Sequence, residues 1–136
     1  MQLIAIKGAA PPNAPDFSRA EVQAMQRAII RLFDHWGVTD AQAAVLLGHI
    51  AVRTYQRWKQ GEYGRPNIDL AARLSNLIGI HKALRLLYTE ADRAYRWIKA
   101  PNRAFGDRSA LDVMLGGQLT DLMRVRRYLD SYRGPW

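Results

Sequence analysis

From Phe17 onward, apolar residues return every three or four positions, a period that predicts a succession of helices. Val22, Met25, Ile29, Phe33 and Trp36 form one stripe on a first amphipathic helix. Ser18 and Glu21 stand in the positions of a capping box that starts it, with Phe17 placed to staple onto Val22, and Gly37 can end it in the left-handed conformation. Thr39 and Gln42 repeat the box, with Val38 as the staple, and open a short Ala-rich helix through Leu47 that Gly48 closes. A third helix is expected from about Val52 to Gln60, ended by Gly61. Two short helices around a glycine-containing turn outline a helix-turn-helix. Tyr55 and Trp58, three apart, face the core and leave Arg53, Gln56, Arg57, Lys59 and Gln60 outside.

Beyond the turn-rich GEYGRP, the pattern of Ile68, Leu70, Leu74, Leu77 and Ile78 is interrupted by Gly79 and resumes with Leu84, Leu86 and Leu87. It predicts two core helices joined by a bend. Thr89 with Asp92 is expected to start another short helix, which Pro101 stops near Ile98 because proline disfavours helix at Ala100. Asn102, Gly106 and Asp107 then favour turns, and Ser109 with Asp112 opens about two helical turns to Gly116 and Gly117. A last helix runs from Gln118 to about Ser131, with Leu119, Leu122, Val125 and Leu129 inward and Arg124, Arg126 and Arg127 on its other faces; Gly134 and Pro135 stop it. Residues 1–16, with Pro11, Pro12 and Pro15 among Gly, Ala and Asn, offer little to bury and read as a flexible arm. The expected fold is all-α, a small multi-helix bundle with an amino-terminal helix-turn-helix, divided as 1–16, 17–66 and 67–136.

Charge narrows the function. Twenty Lys and Arg against twelve Asp and Glu leave a formal charge of +8, which draws the chain towards a polyanion, nucleic acid first. The expected third helix carries the matching chemistry: Arg53 and Arg57 can each donate twice to guanine, Gln56 can pair with adenine, and Thr54 and Lys59 can hold phosphates. An ordinary solvated helix face explains the charges alone; the Ala-rich helix, the glycine turn and the Arg53–Thr54 opening weigh towards DNA. Two features depart from the commonest pattern. The turn is one residue longer, with His49 before Ile50, and Ala51 stands where Ser or Thr usually caps.

Catalytic chemistry is missing. There is no cysteine, so disulfides, thiol catalysis and thiolate metal sites are excluded together. His35, His49 and His81 show no metal-ligand spacing, no glycine-rich phosphate loop is present, and Ser18 and Ser109 are explained as caps. No signal segment or run long enough to span a bilayer is visible, so a soluble cytoplasmic protein is expected, without cofactor and without enzymatic activity. The stretch WIKAPNRAFGDRSALDVMLGG is longer and more apolar than a chain reversal requires. Its Trp97 and Phe105 mark either a binding surface or an aromatic plug that tucks the loop onto the helices.

LLGHIAVRTYQRWKQG, ARLSNLIGIHKALRLLY, WIKAPNRAFGDRSALDVMLGG and LTDLMRVRRYLDSYRGPW, in that order, resemble the antitoxins of the Xre/MbcA/ParS type from about Ser18 to the end of the chain. The resemblance implies an Xre-like helix-turn-helix over 17–66 and a helical toxin-binding domain over 67–136. It also implies a RES-domain toxin that consumes NAD, by breaking it down or by ADP-ribosylation, and is held inactive when the antitoxin covers its active site. The residues carried over for toxin binding are Trp97, Pro101, Asn102 and Phe105 of the loop and Arg127, Tyr128, Tyr132, Arg133 and Trp136 of the tail. Family members often have a second glycine and a proline where this chain has Asp107 and Ala110. Promoter DNA and a homodimer within a larger toxin–antitoxin complex complete the implied partners. The rival reading is a stand-alone helix-turn-helix regulator whose carboxy-terminal helices only dimerise.

Overall fold

The computed structural model describes residues 17–133, and their helices are α1 (Arg19–Trp36), α2 (Asp40–Leu46), α3 (Val52–Trp58), α4 (Ile68–Leu87), α5 (Ala91–Trp97), α6 (Ala110–Met114) and α7 (Leu119–Arg133). A two-residue antiparallel pairing of β1 (Pro101–Asn102) with β2 (Arg108–Ser109) is the exception to an all-α fold. The expected arm of residues 1–16 and the stop at Gly134 and Pro135 lie outside the described residues.

Local sequence signals place the first elements. Both capping boxes form: Ser18 Oγ accepts from the Glu21 amide at 3.1 Å and Thr39 Oγ1 from the Gln42 amide at 3.1 Å, while each Glu or Gln side chain reaches back. Gly37 ends α1 at φ 68°. As the missing cap at Ala51 predicts, α3 starts with no side-chain cap bond. It is α-helical only to Trp58, the residues to Gly61 following as turns.

Helix α4 is the spine: it packs most extensively against α7 and next against α1. The bend expected at Gly79 does not occur, for α4 is unbroken over 20 residues. Gly79 serves a different purpose. The Arg126 guanidinium of α7 lies over it, and a Cβ there would come within 2.6 Å of Arg126 Cζ, so the glycine permits close approach rather than a change of direction. Leu86 and Leu87, expected inside, are exposed at 67% and 39%. Leu84 points to the core, and two positions further on the helix has turned by about 200°, which carries Leu86 to the opposite side. Thr89 does not start α5 either: the helix begins one residue too late, Glu90 takes the cap position, and it makes no side-chain bond.

The core runs as one cluster through both halves of the described residues, from Phe33, Trp36 and Trp58 through Leu74, Leu77, Ile80 and Leu84 to Met114, Leu122, Val125 and Leu129. Leu119, expected inward, is partly buried against it. Ser109 caps α6 by accepting from the Asp112 amide at 3.0 Å, and α6 is shorter than the two turns expected.

Candidate functional site

The helix-turn-helix is held from behind by a buried arginine. Arg73 of α4 donates to Asp69 at 2.9 Å and to the Leu46 carbonyl at 3.4 Å, so α4 grips the last turn of α2. Gly48 follows at φ 100°, where a Cβ would meet Asp69 Oδ2 at 3.0 Å and Arg73 Nε at 3.1 Å. The additional turn residue, His49, also adopts a left-handed backbone at φ 60°. Its imidazole abuts Gly117 so closely that no side chain fits at that glycine, whose own φ is 83°. Thus the turn of the helix-turn-helix rests on the start of α7.

Tyr55 and Trp58 anchor α3 in the core, as the spacing predicts. Burial is also the main reason the Tyr55 hydroxyl is pushed up to about 12. The outer face is open: Arg53, Gln56, Arg57 and Gln60 line one shallow hollow together with Val52 and Glu62. Thr54 sits on its flank, half-buried, and lines a second hollow with Gly48, Tyr63 and Arg65. Lys59 lies on the other flank and is engaged, its Nζ 2.6 Å from Asp40 Oδ1 and 5.2 Å above the Tyr55 ring. The second oxygen of Asp40 accepts from Gln56 Nε2 at 3.3 Å. The Lys59 hydrogen bond is the largest influence holding the Asp40 carboxyl below its ordinary range.

At the other end, the stretch after α5 folds into a small hairpin rather than an open loop. Pro101 pairs with Ser109 and Asn102 with Arg108, and a 3-10 turn over Arg103–Phe105 closes the tip. Asn102 secures that tip with its side chain, which accepts from the Ala104 amide at 2.9 Å. Gly106 and Asp107 take left-handed backbones at φ 66° and 64°, so Asp107 occupies a conformation that suits glycine.

The hairpin turns Phe105 inward, leaving it 4% exposed, and for this residue the plug reading holds. Phe105 meets Tyr128 at a ring-centroid distance of 5.0 Å and Trp97 at 6.5 Å, and Trp97 stacks on Tyr128 at 6.1 Å. The row continues from Tyr128 to Tyr132 at 5.1 Å, where the exposed end emerges with Tyr132 at 65%. The two hydroxyls are 3.3 Å apart, and this hydrogen bond raises the Tyr132 pKa. Arg124 lies over the Phe105 ring at 5.3 Å, a contact the helical pattern alone did not single out. Pro101 and Arg127 are exposed, while Asn102 and Trp97 are partly covered. The Arg133 side chain and Trp136 lie outside the described residues.

Residues 18–79 match the antitoxin Xre-like helix-turn-helix domain, and residues 83–135 match the antitoxin Xre/MbcA/ParS C-terminal toxin-binding domain. The chain belongs to the Xre/MbcA/ParS antitoxins. It is also 40% identical to the uncharacterized protein y4oB of Sinorhizobium fredii (strain NBRC 101917 / NGR234) over 122 residues, 90% of this chain and 94% of that protein. As an antitoxin of this family it pairs with a toxin, binds DNA through its helix-turn-helix and is a regulatory protein rather than an enzyme. The two matched stretches meet inside α4, so one helix serves both units of the antitoxin. Among the described residues no cluster of His, Asp or Glu could hold a metal ion, and no helix is long and apolar enough to cross a membrane.

Proposed function

We propose that this antitoxin neutralises a RES-domain, NAD-consuming toxin by covering its active site, and that it represses its own operon by binding the promoter as a homodimer. The observation that carries the toxin half is the row Trp97–Phe105–Tyr128–Tyr132, whose inner members are packed and whose outer member projects from the last turn of α7, the helix that also carries the exposed Arg127. Rings and guanidinium groups held in place by packing lose little freedom on binding and make large, directional contacts. Tyr132, Arg127, Arg133 and Trp136 are the contacts to the toxin; Trp97, Phe105 and Tyr128 shape the base they stand on, and Pro101 and Asn102 hold the hairpin edge.

For DNA, the contacts are Arg53, Gln56 and Arg57 of the α3 face with Thr54 on its flank, while Lys59, engaged by Asp40, borders that face without being one of them. A helix-turn-helix reads paired half-sites, so a two-fold homodimer is the form suited to an operator. Residues 17–66 carry the DNA-reading elements and 67–136 the toxin-binding ones, with the first turns of α4 also bracing the helix-turn-helix. The test is to induce the reading frame adjacent to this gene and measure growth and cellular NAD, with and without this protein. A neighbour that depletes NAD alone and is harmless in company supports the proposal; a neighbour that is harmless alone and does not bind this protein removes it.

A further inference from the structure

Arg53 and Arg57 have no ion-pair partner among the described residues, whereas Lys59 does, and one carboxylate makes the difference. Asp40 is the first residue of α2, and its two oxygens are both directed at α3: one meets Lys59 Nζ at 2.6 Å, the other accepts from Gln56 Nε2 at 3.3 Å. We propose that Asp40 is a positioning residue for DNA reading, which keeps Lys59 off the phosphates and fixes the amide of Gln56.

Two consequences follow from the chemistry. Lys59 follows the end of α3, six positions after Arg53 and on the flank nearest α2, where its ammonium already has a carboxylate and the Tyr55 ring as partners. Phosphate neutralisation then falls to Arg53 and Arg57, and affinity independent of sequence is held down. Gln56 commits one of its two N–H donors to Asp40, which holds its amide in one orientation on the α3 face. An amide held in one orientation offers its remaining N–H and its carbonyl oxygen in a fixed order, which suits the base edge that matches it better than the others. Asp40 therefore trades general affinity for discrimination, without touching DNA itself.

The inference rests on the assignment of α3 as the reading helix, and the experiment separates the two. Salt titrations on a random-sequence duplex would compare the full chain with Asp40→Asn, Asp40→Glu, Lys59→Ala and the Asp40→Asn/Lys59→Ala double variant, each checked for an unchanged melting temperature. Asp40→Asn is expected to steepen the log K against log salt slope by about 0.9, the value of one additional phosphate contact. Lys59→Ala alone should leave the slope as it was, the double variant should return to it, and Asp40→Glu should behave like the unmodified chain. A flatter slope in Lys59→Ala alone would mean that Lys59 already grips phosphate, and would overturn the proposal. So would a gain in Asp40→Asn that survives removal of Lys59, since Asp40 would then be repelling DNA directly. If Arg53→Ala and Arg57→Ala do not alter the slope, the assignment of α3 itself fails.

Discussion

The outer face of α3 and the aromatic row on α7 both consist of residue types suited to recognition, but the fold treats them in opposite ways. On α3 the recognition side chains are exposed and the helix is held by two others, Tyr55 and Trp58, buried on its inner side. Anchoring and reading are thus separate jobs done by separate residues. On the carboxy-terminal unit the same row does both: Phe105 is buried, Trp97 and Tyr128 are partly covered, and Tyr132 is exposed. A charged face can be altered without harm to the fold, whereas an aromatic row can be altered harmlessly only at its outer end.

The largest effect that would break this contrast is on stability. Phe105→Ala should cost about 3–5 kcal/mol in urea unfolding, as a buried aromatic does, while Arg57→Ala should stay within about 0.5 kcal/mol. Equal costs would erase the distinction. Next comes the joint between the two units, where Gly117→Ala forces a side chain against His49 at φ 83° and should destabilise by roughly 1–3 kcal/mol. Glycine at position 49 removes the imidazole and accepts the left-handed backbone, so His49→Gly should recover part of that loss; no recovery would show that the backbone strain at Gly117 is the whole cost. On DNA, Arg57→Ala should weaken binding by roughly 1–3 kcal/mol if it contacts a base, and should leave toxin binding unchanged in a pull-down.

The smallest effect is acid sensitivity. His81 is pushed below its ordinary value of 6.5, chiefly by burial and then by Arg85, His35 and Lys82. It faces the Tyr95 ring of α5 at 5.8 Å, and that ring stacks on His35 of α1 at 4.3 Å. Because the unfolded chain takes up the proton first, the stability is full above pH 6.5 and falls as the pH drops from there towards the folded pKa. Replacing His81 with Gln should flatten the unfolding free energy over that range, and an unaltered pH profile would contradict this origin.

How much of this was legible depended on distance along the chain. Ser18 with Glu21 and Thr39 with Gln42 act within one helical turn, so their caps could be read directly. The inward placement of Tyr55 and Trp58 followed from helical period. Gly79 could not be read, because the Arg126 it accommodates lies far along the chain on α7 and a glycine looks the same as a bend or as a close approach. Leu86 was misplaced because its apolar character outweighed its phase on the helix. Phe105 stood equally for plug and surface until the hairpin fixed its direction. Asp40 gave no sign of its role, since the bonds to Gln56 and Lys59 cross 16 and 19 residues and depend on how α2 meets α3.

The most direct test of two separable faces on one antitoxin is to measure toxin neutralisation and promoter binding side by side for a chain ending at Leu129 and for Arg53→Ala/Arg57→Ala. Leu129 is buried and remains, while Tyr132 and the residues after it are lost. The shortened chain is expected to bind the promoter but no longer to rescue growth or NAD in cells expressing the neighbouring toxin, and the double variant to do the reverse. A shortened chain that still protects the cells would contradict this.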